Sequence, residues 1–144
     1  MTDYEYASSH GGVTRVRGPA VGGVRPETRY SYGQYYAWTR AGSGSSFVRA
    51  ATPVWLLSSE RTCISSAMTS SGCAGGAADQ VVTNYQYEAG NASRGSNLLL
   101  LGTAVTARNA SGQTETLRTC YAYDDQGRRI SETSPRANLS SCPS

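Results

Sequence analysis

At 144 residues the chain is one domain's worth of sequence, and its apolar fraction of 38% is low for a compact globule. The net charge is only +3, and all 13 basic residues are Arg, scattered singly apart from Arg128-Arg129 and the alternating Arg15 and Arg17. A nucleic-acid groove needs a basic stripe, so nucleic acid is excluded as the expected partner. The stretch Thr2–Ser9 is polar and acidic, so no signal peptide is read, and the longest apolar run, Leu98–Leu101, is far too short for membrane insertion.

Of the 13 aromatic residues 10 are Tyr, Gly is abundant, and no long window repeats its apolar residues every 3.6 positions. Tyr, Thr and Val favour strands and Gly and Ser favour turns, so the composition predicts an all-β chain of antiparallel hairpins. Tyr4-Glu5-Tyr6 begins the first strand, Ser8–Gly12 turns, Val13–Arg17 returns, and Pro19 stops the pairing. His10 sits in that Gly-rich turn with no acid or Ser at a telling spacing, and reads as a polar turn residue. Pro19–Pro26 is a connector whose two glycines suit a bend; no phosphate-cradling Gly motif is present.

Strands are expected within 28–60. Thr28–Tyr32 carries a second Tyr-x-Tyr pair, Tyr35, Tyr36 and Trp38 extend the aromatic content, and Ala41–Ser45 is a flexible tip from which Phe47–Ala51 pairs back. Pro53–Glu60, with Trp55 inside it, is the most apolar strand candidate of the first half, and a Trp in such a run is expected in a core. Residues 61–79 read as a Ser/Gly-rich insertion loop bearing Cys63 and Cys73. Strands resume in 80–108: Asp79–Glu88 holds the pair Tyr85 and Tyr87, Ala89–Asn97 is a loop, and Leu98–Arg108 is a strand in which Gly102 marks a possible bulge.

The last third, 109–135, predicts a meander. Asn109-Ala110-Ser111-Gly112 and Asp124-Asp125-Gln126-Gly127 offer the same turn chemistry, a side chain that caps its own backbone and a glycine that accepts a left-handed conformation. Tyr121 and Tyr123 share one strand face before the second turn, and Arg128–Thr133 returns until Pro135; residues 136–144 form a tail. The Tyr-x-Tyr pairs at Tyr4 and Tyr6, Tyr30 and Tyr32, Tyr85 and Tyr87, and Tyr121 and Tyr123 account for 8 of the 10 tyrosines, the pattern of a repeat with loops inserted between units.

Cys63, Cys73, Cys120 and Cys142 contain no CxxC and are remote in sequence from His10, which argues against a zinc site. An even count suits two disulfides in an oxidising compartment; three connectivities are open, neighbours in sequence favour Cys63–Cys73 with Cys120–Cys142, and free thiols in a reducing compartment are the alternative. No GxSxG, no Cys–His pair and no separated carboxylate pair is evident, so neither catalysis nor a cofactor is expected. Exposed tyrosines with Trp38 or Trp55 could instead stack on sugar rings, which makes an extracellular carbohydrate-binding or adhesion module the second expectation.

The tract Tyr121-Ala122-Tyr123-Asp124-Asp125-Gln126-Gly127-Arg128-Arg129-Ile130, followed by Pro135, resembles the RHS, or YD (tyrosine–aspartate), repeat of bacterial polymorphic toxins. The copy at Tyr4 keeps the tyrosine pair, Gly turn, basic strand and Pro but has Ala7 where the Asp belongs; those at Tyr30 and Tyr85 keep little beyond the tyrosines. The resemblance implies a β-sheet that spirals into a shell around a C-terminal effector, with Tyr121, Tyr123, Asp124, Gly127, Arg128 and Pro135 as wall residues. It implies a secreted or cell-surface parent whose other repeats and enclosed effector are the partners. The residues after Pro135 contain no core-end motif, so the family's catalytic residues have no positions here. A segment cut from such an array has open sheet edges and is expected to self-associate through them.

Overall fold

The alternation of β-branched, aromatic and polar residues produces strands along most of the chain, and Gly, Asn and Asp close the turns between them. The structure, a computed structural model that describes residues 1–143, has 12 strands: β1 (Asp3–Tyr6), β2 (Val13–Arg17), β3 (Glu27–Tyr35), β4 (Trp38–Arg40), β5 (Phe47–Arg49), β6 (Val54–Cys63), β7 (Met68–Thr69), β8 (Gly72–Cys73), β9 (Gln80–Tyr87), β10 (Leu100–Arg108), β11 (Thr114–Tyr123) and β12 (Arg129–Glu132). Eight of them hydrogen-bond in the order β1-β2-β3-β6-β9-β10-β11-β12, which is chain order with two small hairpins, β4-β5 and β7-β8, looped out. The fold is all-β and antiparallel, and β1 and β12 are the two edges of the sheet.

The chain divides into two compact units, and the long strands contribute to both. Unit 1 comprises Met1–Ser31, Leu57–Asn84 and Ala104–Leu117; unit 2 comprises Tyr32–Leu56, Tyr85–Thr103 and the residues from Arg118 onward.

Unit 1 carries a charge ladder across its first three strands. Asp3 pairs with Arg17 and Glu5 with Arg15 in the β1–β2 register, and Arg17 pairs with Glu27 and Arg15 with Arg29 in the β2–β3 register. Side chains directly opposite one another lie on one sheet face, so acids and guanidiniums alternate across it. The like-charged neighbours Arg15 and Arg29 each turn to a carboxylate, Arg15 to Glu5 and Arg29 to Glu27. Glu27 is 5% exposed and sits at the centre: its Oε2 accepts from Arg17 Nε at 2.8 Å and its Oε1 from Arg29 Nε at 2.7 Å. Burial alone would raise its pKa, but the hydrogen bonds from Arg29 and Arg17 and the charge of both bring it below the usual carboxylate range. On the other face Tyr4, Val16 and Thr28 follow one another across the strands.

The segment 61–79 differs from the expected loop. β6 runs on through Cys63, because Cys63 pairs with Gln80 of β9, and the remainder folds into the β7–β8 hairpin and one helical turn at Ala77–Asp79. The Cys63–Cys73 disulfide joins β6 to β8 with Cα atoms 5.6 Å apart. Asp79, 9% exposed, closes the segment: Oδ1 accepts from Ser65 N at 2.8 Å and Ser65 Oγ at 2.7 Å, and Oδ2 from Ser66 N at 2.9 Å. The donors of Ser66 and Ser65 outweigh burial and lower its pKa to about 2.

Two further expectations shift. β10 starts at Leu100 rather than Leu98, because Leu98 has φ 60° and its N–H donates to Ser96 Oγ at 3.1 Å. Trp55, expected in a core, is 37% exposed on β6. Gly102 lies within β10, where a Cβ would collide with Cys142 Sγ and the Thr119 carbonyl. The Cys120–Cys142 disulfide, with Leu101 and the partly buried Leu139, forms the apolar centre of unit 2. Among the described residues the buried apolar set is Cys73, Leu101, Ala104, Cys120 and Cys142, and no large side chain is completely buried. Two disulfides suit an oxidising environment, and no helix is long and apolar enough to cross a membrane.

Candidate functional site

Within unit 2 a cleft of about 710 Å³ is built from three pieces: the β4–β5 hairpin, the segment 88–97, and the β11–turn–β12 tract. Paired positions Trp38↔Arg49, Thr39↔Val48 and Arg40↔Phe47 hold the hairpin, and Gly42, at φ 59°, makes its tip. Trp38 and Ser96 exchange two backbone hydrogen bonds of 3.0 Å, and Phe47 N donates to Ala92 O at 2.9 Å. The aromatic rings then lie on backbone. A Cβ at Gly90 would come within 2.5 Å of Trp38 Cδ1, and one at Gly95 within 2.5 Å of Phe47 Cε1, so neither glycine can be replaced without moving a ring. The Arg40 guanidinium sits 5.4 Å from the centre of the Phe47 ring, and that of Arg49 4.3 Å from the Tyr36 ring.

The segment 88–97 is a chain of polar closures. Glu88 N donates to Leu99 O at 2.8 Å, Ser96 Oγ to Glu88 O at 2.9 Å, and Asn97 N to Glu88 Oε2 at 2.9 Å. Ser96 is 3% exposed, with its hydroxyl oxygen also accepting from Leu98 N, so a buried polar group is fully used.

The third wall is the Tyr121–Pro135 tract. Asp124 Oδ1 accepts from Gln126 N at 3.0 Å and from Arg128 N at 2.9 Å, and its Oδ2 accepts from Arg128 Nε at 2.7 Å. The backbone bond from Arg128 and the Arg128 side chain dominate over burial and hold its carboxyl below the usual range. Gly127, at φ 77°, donates its N–H to Asp124 O at 2.9 Å. The turn at Asn109 repeats this network: Oδ1 accepts from Ser111 N and Gln113 N, Gly112 N bonds Asn109 O, and Gly112 has φ 81°. Tyr121 lies under the Arg129 guanidinium at 5.0 Å, and the Tyr123 hydroxyl donates to Leu100 O at 2.7 Å. Pro135 opens a helical turn, Pro135–Ala137, whose first free N–H, that of Arg136, is capped by Ser134 Oγ.

The cleft thus gathers Tyr121, Tyr123, Asp124 and Gly127 but not the remaining tyrosine pairs. Tyr4 and Tyr6 stand on β1 with 55% and 62% of their surface exposed; Tyr30, Tyr32 and Tyr85 are half-buried on β3 and β9. Tyr87 meets Tyr35 edge to face with centroids 5.0 Å apart, and burial, then Tyr35, raises its pKa. His10 Nδ1 accepts from Gly12 N at 3.1 Å in the first turn.

Cleft residues that sequence reasoning did not join to the site are Phe47, Glu88, Arg94 and Asn97. In unit 1, Cys63, Cys73 and Asp79 bring their ligand-type atoms within 4.8 Å of one another, but both sulfurs are bonded to each other and Asp79 is saturated by serine donors. That chemistry is a clasp, not a thiolate metal centre. No protein-family model, curated protein or solved structure matches this chain.

Proposed function

We propose that the chain is a non-catalytic segment of an RHS/YD-repeat shell, a stretch of wall whose parent protein encloses or displays an effector. The observation that carries this reading is the combination of chain-order strands with few buried apolar residues and no large side chain completely buried among the described residues. Such a sheet gains little by folding alone, because repeat arrays bury each unit against its neighbours. The full YD tract supports it: its Asp and Gly are both spent on closing a turn, which is wall-building and not chemistry. The two disulfides support an exported, cell-surface or secreted parent, and the partners are the flanking repeats and the enclosed cargo.

The open edges β1 and β12 give the test. In concentration-dependent light scattering the isolated chain is expected to self-associate, and placing Lys at Ile130, 65% exposed on β12, reduces association by charging that edge. A monomer at every concentration with a sharp cooperative melt would refute the proposal. In-frame YD units in the neighbouring coding sequence would support it from an independent direction.

A further inference from the structure

We propose that the cleft of unit 2 is a binding site for a neutral oligosaccharide, held without turnover. This stands independently of the shell reading, since every residue it uses lies in the cleft itself. The volume of about 710 Å³ falls in the range of small-molecule sites, roughly 300–1,000 Å³.

Three features select the ligand. First, the Trp38 and Phe47 rings rest on Gly90 and Gly95, so backbone rather than mobile side chains fixes them; Arg40 already faces Phe47 and Arg129 faces Tyr121, which makes Trp38 the principal stacking ring. Rigid aromatic faces are what the C–H surface of a pyranose stacks on, at little ordering cost. Second, Asn97 and Asp125 line the cleft from exposed positions, and their side chains are engaged by no other side chain among the described residues, which leaves both donors and acceptors for sugar hydroxyls. Third, formal charge in the cleft is nearly balanced: Glu88, Asp124 and Asp125 face Arg40 and Arg94. A strongly anionic ligand such as a nucleotide would meet more acid than base there, and an apolar ligand would strand the polar groups.

The same geometry favours holding the ligand over cleaving it. Glycoside hydrolysis needs two available carboxyl groups flanking the bond. Both oxygens of Asp124 are taken by its own turn and Arg128, and Glu88 Oε2 accepts from Asn97 N, so these acids hold the walls of the cleft.

The chain has two tryptophans, so replacing Trp55, which lies outside the cleft, with Phe makes Trp38 the sole indole reporter. In the Trp55→Phe protein, titration with cellotetraose and with chitotetraose is expected to give a saturable change of Trp38 emission with at least one of them, with Kd roughly millimolar. Asn97→Ala and Asp125→Asn, both at exposed positions, are expected to weaken that binding about fivefold each, the effect of one lost hydrogen bond. No emission change with either sugar, or binding unaltered in the Asn97→Ala/Asp125→Asn double variant, overturns the site. Release of shorter sugars on prolonged incubation overturns the claim that the ligand is held intact.

Discussion

In unit 1 the interior is polar: Glu27 is clamped between Arg17 and Arg29, and Asp79 is ringed by the donors of Ser65 and Ser66. In unit 2 the corresponding roles fall to rings on glycines, Trp38 over Gly90 and Phe47 over Gly95, and to a disulfide that seats the chain end against Leu101. Both units draw on strands of the same sheet and on the same Tyr, Gly and Arg-rich alphabet. The difference teaches that a sheet without a thick apolar core has two substitutes available. One satisfies buried carboxylates with guanidinium and serine donors; the other rests flat rings on bare backbone; each unit adds one disulfide. The first depends on pH and salt, the second on shape, and both on redox state.

Breaking the covalent tie has the largest expected effect. Replacing Cys120 and Cys142 together with Ser should destabilise the protein by about 3–4 kcal/mol in the chain-entropy picture, given a separation of 22 residues. The Cys63–Cys73 pair, separated by 10, should cost about 2–3 kcal/mol, and denaturant midpoints of the two double variants test the order.

Glu27→Ala comes next, because it leaves two guanidiniums facing one another without their shared carboxylate. Loss of a buried partner costs up to about 5 kcal/mol, and since Arg17 and Arg29 are each about a third exposed, roughly 2–3 kcal/mol is expected. A cost below that of an ordinary surface substitution would show that the ladder is decorative.

Gly90→Ala probes unit 2 in the opposite sense, by adding an atom where the Trp38 ring lies. Overpacking of this kind costs about 1–3 kcal/mol, and the Trp38 emission should shift with it. Asp124→Ala, which strips the turn of its cap, should cost about 1 kcal/mol, measured by thermal melting, and Asp124→Asn should recover most of it, as Asn109 does in the twin turn.

Acid tests the carboxylates of both units without a mutation, Glu27 and Asp79 in unit 1 and Asp124 in unit 2. The pKa values of Glu27 and Asp79 are lowered in the folded state, so the unfolded chain binds more protons and stability falls as pH falls. The contribution is complete above the ordinary carboxylate value of 4.5 for Glu27, and for Asp79 it is lost between 3.8 and about 2. Amide exchange at Ser65 and Ser66 should therefore accelerate in that window before the Trp38–Ser96 hydrogen bonds open. Simultaneous loss would contradict the division of labour.

Strand identity and turn chemistry were legible in the sequence because both are local. The strand at Val13–Arg17 and the two turns at Asn109 and Asp124 need only alternation and the right capping residue. The extension of β6 through Cys63 was not legible, since it depends on Gln80 across a disulfide-closed excursion. Gly102 shows the same limit: that the Cys142 sulfur and the Thr119 carbonyl lie against it depends on residues far along the chain. The cleft was the least visible feature. Trp38 and Phe47 sit on a hairpin far in sequence from Tyr121, and nothing local announces that the segment 88–97 will bring them together.

The twin turns have a consequence for how the chain folds. Each closes by bonds spanning at most four residues, so each pays little loop-closure entropy and forms without help from distant strands. The β10–β11–β12 meander is thus the natural nucleus, with β1 to β3 and the excursions joining later. In pulsed hydrogen exchange during refolding, the amides of Gly112 and Gly127 should be among the first protected, before that of Gly18, whose bond to Pro26 waits on the return of β3.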